Sequence, residues 1–97
     1  MTLRLTMTAR ARTDVLEAKL WYARIRRDLA SEFLKDLRRS FEQIRERPES
    51  FPQIELGVRR ALCHTFPYKI YFALRPDEVR IPAVYHSSRD PEHWRER

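Results

Sequence analysis

Charged and aromatic residues are concentrated at the ends of two strand-like segments in the last third of the chain. The segments are residues 66–72 (FPYKIYF) and residues 79–86 (VRIPAVYH). Guanidinium groups form bidentate contacts with phosphate or carboxylate groups. A small sheet built from these segments would form a compact surface that binds a phosphate backbone or an acidic protein. The side chains expected on that surface are Arg59, Arg60, Lys69, His86, Arg89 and Trp94.

Two adjacent arginines begin this region. Successive side chains of a strand point to opposite faces, so only one of Arg59 and Arg60 can face a given ligand. An ion pair with Glu55 or with an acidic residue of the helical region is the other interpretation of the pair. The sequence leaves both interpretations open.

The length and composition indicate one domain spanning residues 1–97. The chain has 97 residues, of which 42% are hydrophobic, and contains no apolar run of membrane-spanning length. Its N-terminus lacks the apolar core of a secretory signal, so we expect a cytoplasmic protein without a membrane partner. Cys63 is the only cysteine, which excludes an internal disulfide, and His64 and His93 have no partner at a metal-ligand spacing. We therefore expect no metal and no cofactor.

Basic residues outnumber acidic ones by 20 to 14, and this excess is not evenly distributed. Residues 1–47 carry twelve basic and seven acidic side chains, whereas residues 48–97 carry eight and seven. Such a field attracts polyanions and acidic protein segments alike. The N-terminal half therefore supplies most of the attraction for an anionic partner.

The first half of the chain is predicted to form one strand and two helices. Leu3, Leu5 and Met7 alternate with polar residues, as expected of a half-buried strand. Helical spacing follows, with no Gly or Pro between residues 10 and 47. A single helix of that length would span about 57 Å, so we predict a hairpin with a break near Asp28, which can cap the second helix. The apolar stripes contain Ala18, Trp21, Tyr22, Ile25 and Leu29 in the first helix and Ala30, Phe33, Leu34, Leu37, Phe41 and Ile44 in the second.

The second half is predicted to form a meander of three strands at residues 58–65, 68–74 and 79–85, preceded by a surface connection. Alternation in the middle strand predicts a core face with Tyr68, Ile70, Phe72 and Leu74 and leaves Tyr71 exposed. In the last strand, the same alternation separates Val79, Ile81, Ala83 and Tyr85 from Arg80, Val84 and His86. Pro82 lacks a ladder donor, which predicts an edge strand or a local bulge there.

These elements predict an α+β fold in which an N-terminal strand and a helical hairpin precede a three-stranded antiparallel meander, with one small sheet packed on the two helices. Their order and residues resemble the ParE/RelE superfamily of type II toxins over residues 3–95. The resemblance rests on Trp21-Tyr22, the helical stripe with Leu29, Phe33, Leu37 and Ile44, PESFP, Arg59-Arg60, FPYKIYF and VYHSSRDPEHW.

The resemblance implies a partner. Such toxins are encoded beside an antitoxin whose disordered tail wraps the toxin, and only the antitoxin contacts operator DNA. We expect it to place an amphipathic helix on the helical hairpin, to add a strand to the sheet edge, and to meet the basic N-terminal half with acidic residues. A homodimer or a toxin–antitoxin heterotetramer is the expected assembly. The residues predicted to bind the antitoxin are Trp21, Tyr22, Phe33 and Leu37.

The superfamily has two mechanisms: RelE-like toxins cut messenger RNA on the ribosome, whereas ParE-like toxins poison DNA gyrase without nuclease activity. Metal-free RNA cleavage requires phosphate binding and proton transfer, for which Arg60, Lys69 and His86 are the candidates. Lys69 stands where those nucleases carry Arg, and Trp94, which cannot transfer a proton, takes their late aromatic position. The sequence therefore favours a gyrase inhibitor with no catalytic residue. A ribosome-dependent endoribonuclease and an inactive antitoxin-binding member are the alternatives.

Overall fold

A computed structural model describes residues 3–89, so His93 and Trp94 lie outside the described residues. The described chain is an α+β fold, as predicted, with two helices on one side of a five-stranded sheet. The predicted surface connection contains an additional short strand. In chain order the elements are β1 (Arg4–Met7), α1 (Ala9–Ile25), α2 (Arg27–Glu46), a 3-10 turn (Pro48–Ser50), β2 (Gln53–Glu55), β3 (Val58–Leu62), β4 (Tyr68–Leu74) and β5 (Glu78–His86).

The strands are arranged in the order β1-β5-β4-β3-β2. Strands β2 to β5 pair antiparallel through short turns, which confirms the meander. Strand β1 pairs with β5 in parallel, because the helical hairpin carries the chain back across the sheet before the meander begins. Strand β5 is therefore an interior strand between β1 and β4, while β1 and β2 form the two edges. No helix in the described part of the chain combines the length and apolar character that a membrane crossing needs.

The helix boundaries follow from local hydrogen bonds. Thr8 caps α1, since its hydroxyl accepts a hydrogen bond from the backbone N–H of Ala11 at 3.1 Å. The break between the helices lies at Arg26, whose backbone is extended. Asp28 does not cap α2 as predicted, because it lies within the first turn and forms an exposed ion pair with Arg26. A carboxylate in that turn still favours the helix through its dipole.

The main core lies between the helices and the sheet. Helix α2 contributes its predicted stripe, in which Phe33, Leu37 and Ile44 are buried. The Phe33 ring lies with its centroid 5.6 Å from that of Phe66 and 5.0 Å from that of Tyr68. Aromatic pairs at such distances and tilts add to the free energy gained by burial.

A bulge at Pro82 changes the faces of β5. Tyr71 pairs with Ala83, but Ala73 pairs with Arg80, so one extra residue is accommodated between them. The alternation predicted for this strand is therefore wrong beyond Pro82. Val84 joins the helix-side core, whereas Ala83 and Tyr85 turn to the opposite face.

The face opposite the helices holds a second apolar cluster. Tyr71, predicted to be exposed, is fully buried and packs with Ala83 and Tyr85, with Ile54 and Val58 beside them. The Tyr71 and Tyr85 ring centroids are 6.0 Å apart. The prediction is wrong because the bulge brings Tyr85 to this face and β2 supplies Ile54 beside it. Both faces of the sheet therefore bury aromatic side chains.

Candidate functional site

The two adjacent arginines of β3 lie on opposite faces of the sheet. Arg59 pairs with Phe72 of the helix-side core, and its Nη1 donates hydrogen bonds to the carbonyls of Phe51 at 2.7 Å and Glu49 at 3.4 Å. These bonds hold the segment between α2 and β2 against the sheet. Arg59 is therefore engaged within the chain through hydrogen bonds to backbone carbonyls, and its role in binding a target stays a prediction.

Arg60 lies on the face away from the helices, opposite Tyr71 on the neighbouring strand. Its Nε is buried and has no hydrogen-bond partner within residues 3–89. A buried donor without a partner is uncommon in folded proteins and requires an explanation. Contact between this guanidinium and an external acceptor is one explanation.

Lys69 and Arg89 complete a cluster with Arg60 that we call the cationic face, together with Tyr71 and Tyr85. Lys69 is opposite Tyr85, only 7% of it is exposed, and its Nζ donates to the carbonyl of Arg89 at 3.3 Å. The Arg89 guanidinium lies 4.3 Å from the centre of the Tyr85 ring. A cation over an aromatic ring is held by the ring quadrupole. Three of the six predicted surface residues are therefore gathered on this face.

His86 lies on the other face, at the end of β5. It pairs with Tyr68, and the two ring centroids are 5.4 Å apart. The backbone N–H of Ser88 donates to Nδ1 of His86 at 3.1 Å, and the Ser88 hydroxyl lies 2.8 Å from the same nitrogen. The accepting Nδ1 requires the neutral ring to carry its proton on Nε2. His86 is thus part of the C-terminal turn, apart from Arg60 and Lys69.

A groove between α1 and the end of β5 surrounds His86. Asp14 and Glu17 of α1 line it together with Trp21. The Asp14 carboxylate accepts a hydrogen bond from the backbone N–H of Val84 at 3.0 Å. Val84 lies on the part of β5 that extends past the end of β1 at Met7. The groove therefore combines carboxylates, an imidazole and an indole with the side chain of Arg89, which also belongs to the cationic face.

The four residues predicted to bind the antitoxin have different surroundings. Phe33 and Leu37 are buried in the core, with 0% and 3% of their surface exposed. Tyr22 is half-buried, and its ring centroid lies 4.9 Å from that of Phe66. Only Trp21, which is 58% exposed, is presented to a partner. The helical spacing that marks Phe33 and Leu37 as apolar directs them into the core, so a contact with the antitoxin at these two residues stays a prediction.

Helix α1 carries an apolar stripe that the sequence interpretation did not assign to binding. Leu16 and Leu20 are 52% and 49% exposed, and they lie roughly opposite the buried Ala18 on the helix. We call this stripe, with its exposed neighbours Arg12, Lys19 and Arg24, the α1 outer face. The sequence signal for this stripe was the pair Leu16 and Leu20, which are four residues apart and lie outside the stripe predicted to face the core.

A buried carboxylate on α2 positions the turn between β3 and β4. Asp36 is 7% exposed and accepts hydrogen bonds from the N–H groups of His64, Thr65 and Phe66 at 3.2, 2.9 and 2.7 Å. These bonds fix the start of β4 and hence the position of Lys69. A lone acidic residue inside an apolar stripe was the available sequence signal for this role.

The Cys63 thiol has the properties expected of an unreactive cysteine. Burial raises the pKa of Cys63 to about 11, so it is protonated near neutral pH. Burial, with a further contribution from Tyr22, raises the pKa of Tyr68 to about 12. Residues 3–89 contain no group of three or more His, Cys, Asp or Glu side chains arranged to hold a metal ion.

Comparisons with known proteins agree with this architecture. A search among curated proteins returned no match. A solved structure, "Chromosomal ParDE TA system from P. aeruginosa", is similar with a TM-score of 0.75 and 17% identity, over 88% of this chain and 96% of that chain. Identity this low establishes the fold alone. Residues 5–91 match the family model described as the ParE toxin of the type II toxin-antitoxin system parDE. The chain therefore belongs to the ParE toxin family of type II toxin-antitoxin systems.

Proposed function

We propose that this ParE-family toxin inhibits DNA gyrase by direct binding and that its cognate antitoxin neutralises it. The observation that supports binding over catalysis is the separation of the nuclease candidates on the sheet. Arg60 and Lys69 lie on the cationic face, whereas His86 lies with Tyr68 on the helix side. General acid–base catalysis needs these groups within hydrogen-bond reach of one phosphate. In this proposal residues 1–97 act as one domain in the cytoplasm, where gyrase works.

The cationic face is the surface that we assign to gyrase. It presents Arg60 and Arg89 around the buried rings of Tyr71 and Tyr85. Arginine is enriched among the residues that dominate binding energy in protein interfaces. Arg60 as a whole is only partly buried, so it remains accessible to an acceptor on the target. The positive charge of this face would complement an acidic patch on gyrase.

A supercoiling assay with purified gyrase tests the proposal. We expect the toxin to inhibit supercoiling and Arg60→Glu to raise the inhibitory concentration about tenfold or more, because charge reversal at a buried interface contact is costly. Arg47→Glu, an exposed arginine at the end of α2, is the matched control and should inhibit like wild type. His86→Ala should also retain inhibition.

Two results would contradict this function. Normal supercoiling at a large excess of toxin over gyrase would remove gyrase as the target. Loss of toxicity in His86→Ala, together with messenger cleavage by the wild type on ribosomes, would instead assign the endoribonuclease mechanism.

The α1 outer face is the surface that we assign to a helix of the antitoxin. Its leucines are half exposed, and Arg12, Lys19 and Arg24 form no ion pair within the described chain. These features fit an amphipathic helix with acidic flanks. Two copies of the toxin joined through this face would bring the same cations together, so a toxin–antitoxin complex is favoured over a homodimer.

A further inference from the structure

Arg80 lies on the same side of the sheet as the cationic face. Its neighbours along β5, Val79 and Ile81, are buried in the helix-side core, so the Arg80 side chain points to the opposite side. The bulge at Pro82 then turns Tyr85 to that same side, although regular alternation would separate it from Arg80. The bulge therefore brings a cation from the first half of β5 and the aromatic end of the strand onto one surface.

The Arg80 side chain is available to an external partner. It is half-buried and is flanked across the sheet by two small residues, Thr6 on β1 and Ala73 on β4. The carboxylate two residues earlier, that of Glu78, is occupied by Arg75 at 3.7 Å and by the Thr6 hydroxyl at 3.1 Å. Arg80 forms no ion pair with any described residue. The described chain therefore leaves its charge uncompensated.

This side of the sheet also exposes an apolar side chain. Leu62 is opposite Lys69 on the neighbouring strand and is 61% exposed. Arg60, two residues earlier on β3, points to the same side. A leucine among cations suits a protein partner better than a phosphate backbone, because protein interfaces pair apolar side chains with one another. The surface therefore favours an acidic protein that carries apolar side chains among its carboxylates.

The cations are spread widely over this surface. Arg60 is opposite Tyr71 on β4 and Arg80 is opposite Ala73 on the same strand, so the two arginines lie two strands and two residues apart. A strand spacing of about 4.8 Å and a rise of about 3.4 Å per residue put their Cα atoms about 12 Å apart. A surface of that width matches a protein partner with several carboxylates.

We propose that the target surface of the toxin extends from the cationic face to Arg80 and Leu62, where it takes an acidic surface of gyrase with an apolar side chain placed against Leu62. This inference rests on the proposed function and adds two contact residues to it. Arg80 attracts the acidic partner over a distance, because it is partly exposed, and Leu62 supplies apolar contact area.

Equilibrium binding of purified toxin to gyrase in the absence of DNA tests the contribution of Arg80. Arg80→Glu should weaken binding about tenfold and reduce its dependence on salt, because reversal of a partly exposed charge removes attraction to an acidic surface. Arg47→Glu changes the net charge equally at an exposed position at the end of α2, and it should stay within about twofold of wild type. Wild-type affinity in Arg80→Glu, together with weak binding by Arg60→Glu, would overturn the extension and leave the proposed function intact.

A pair of leucine variants tests the apolar contact. Leu62→Asp should weaken gyrase binding about fivefold, whereas Leu56→Asp, in the β2–β3 turn where that leucine is 91% exposed, should bind like wild type. Both variants should keep wild-type affinity for the antitoxin, which serves as the check that they are folded. Equal gyrase affinities of the two folded variants would contradict the contact at Leu62.

Two further outcomes separate this inference from the proposed function. Binding of duplex DNA by the toxin alone that is lost in Arg80→Glu would assign the surface to DNA and overturn the inference. Absence of gyrase binding by the wild-type toxin would refute the proposed function and, with it, this extension.

Discussion

The two helices of the hairpin use their apolar residues differently. Helix α2 buries large side chains, such as Phe33 and Ile44, and apart from Asp36 its charged residues are not buried. Helix α1 buries only alanines, Ala11 and Ala18, and exposes larger apolar residues. Small residues allow α1 to approach β5 closely, and Val15 and Tyr22 pack against the core, but Leu16, Leu20, Trp21 and Ile25 stay largely exposed. The difference indicates that α2 is stabilised by its own chain, and it supports the proposal that the α1 outer face binds a partner.

The largest effect is expected from Phe33→Ala on α2. The ring is fully buried between α1, α2 and the sheet, so its removal leaves a cavity that rigid neighbours cannot fill. We expect the free energy of unfolding to fall by about 4 kcal/mol. Urea denaturation measures this loss, and Leu20→Ala on α1 should change stability by less than about 0.5 kcal/mol. Similar losses for both variants would remove the distinction between the helices.

Asp36→Ala should produce the next largest loss of stability. Three backbone N–H groups at the β3–β4 turn would lose their acceptor, which costs about 3 kcal/mol in total. Glu32→Ala, an exposed carboxylate one turn earlier on α2, serves as the control and should stay near wild type. If the two variants melt at the same temperature, Asp36 does not hold the turn.

A smaller contribution to stability is expected from the buried Cys63 thiol, and raising the pH should reveal it. Burial raises the pKa of Cys63 in the folded chain to about 11, above its ordinary value of 9.0, so the unfolded chain loses this proton at lower pH than the folded chain. Stability is therefore complete below about pH 9 and decreases as the pH rises towards 11. Cys63→Ala should reduce this decrease by about 1 kcal/mol at pH 10. Urea midpoints at pH 8 and pH 10 provide the measurement, and an unchanged decrease would contradict the assignment.

The fold was largely predictable because its apolar residues are periodic. Spacing of three and four residues predicted α2, and alternation predicted the meander and its core residues Ile70 and Phe72. The faces of β5 were not predictable beyond Pro82, because a proline permits either an edge or a bulge and only the pairing partners decide between them. The burial of Tyr71 depends on that outcome and was missed with it.

The candidate site was harder to predict than the fold. Composition and strand position brought Arg60, Lys69 and Arg89 together correctly on one face. The hydrogen bonds of Arg59 were not predicted, because its carbonyl acceptors come from a connection whose path the sequence does not specify. The role of Asp36 depends on contacts about 30 residues away along the chain, which no local pattern encodes.

Antitoxin affinity measured by calorimetry tests most directly whether the α1 outer face is a partner surface. The account predicts that Leu16→Asp combined with Leu20→Asp weakens binding by about 30-fold or more, since each half-exposed leucine would lose its buried contact. Leu56→Asp combined with Leu62→Asp changes two exposed leucines elsewhere and should bind like wild type. Wild-type affinity in the α1 variant, with the fold intact, would contradict the account.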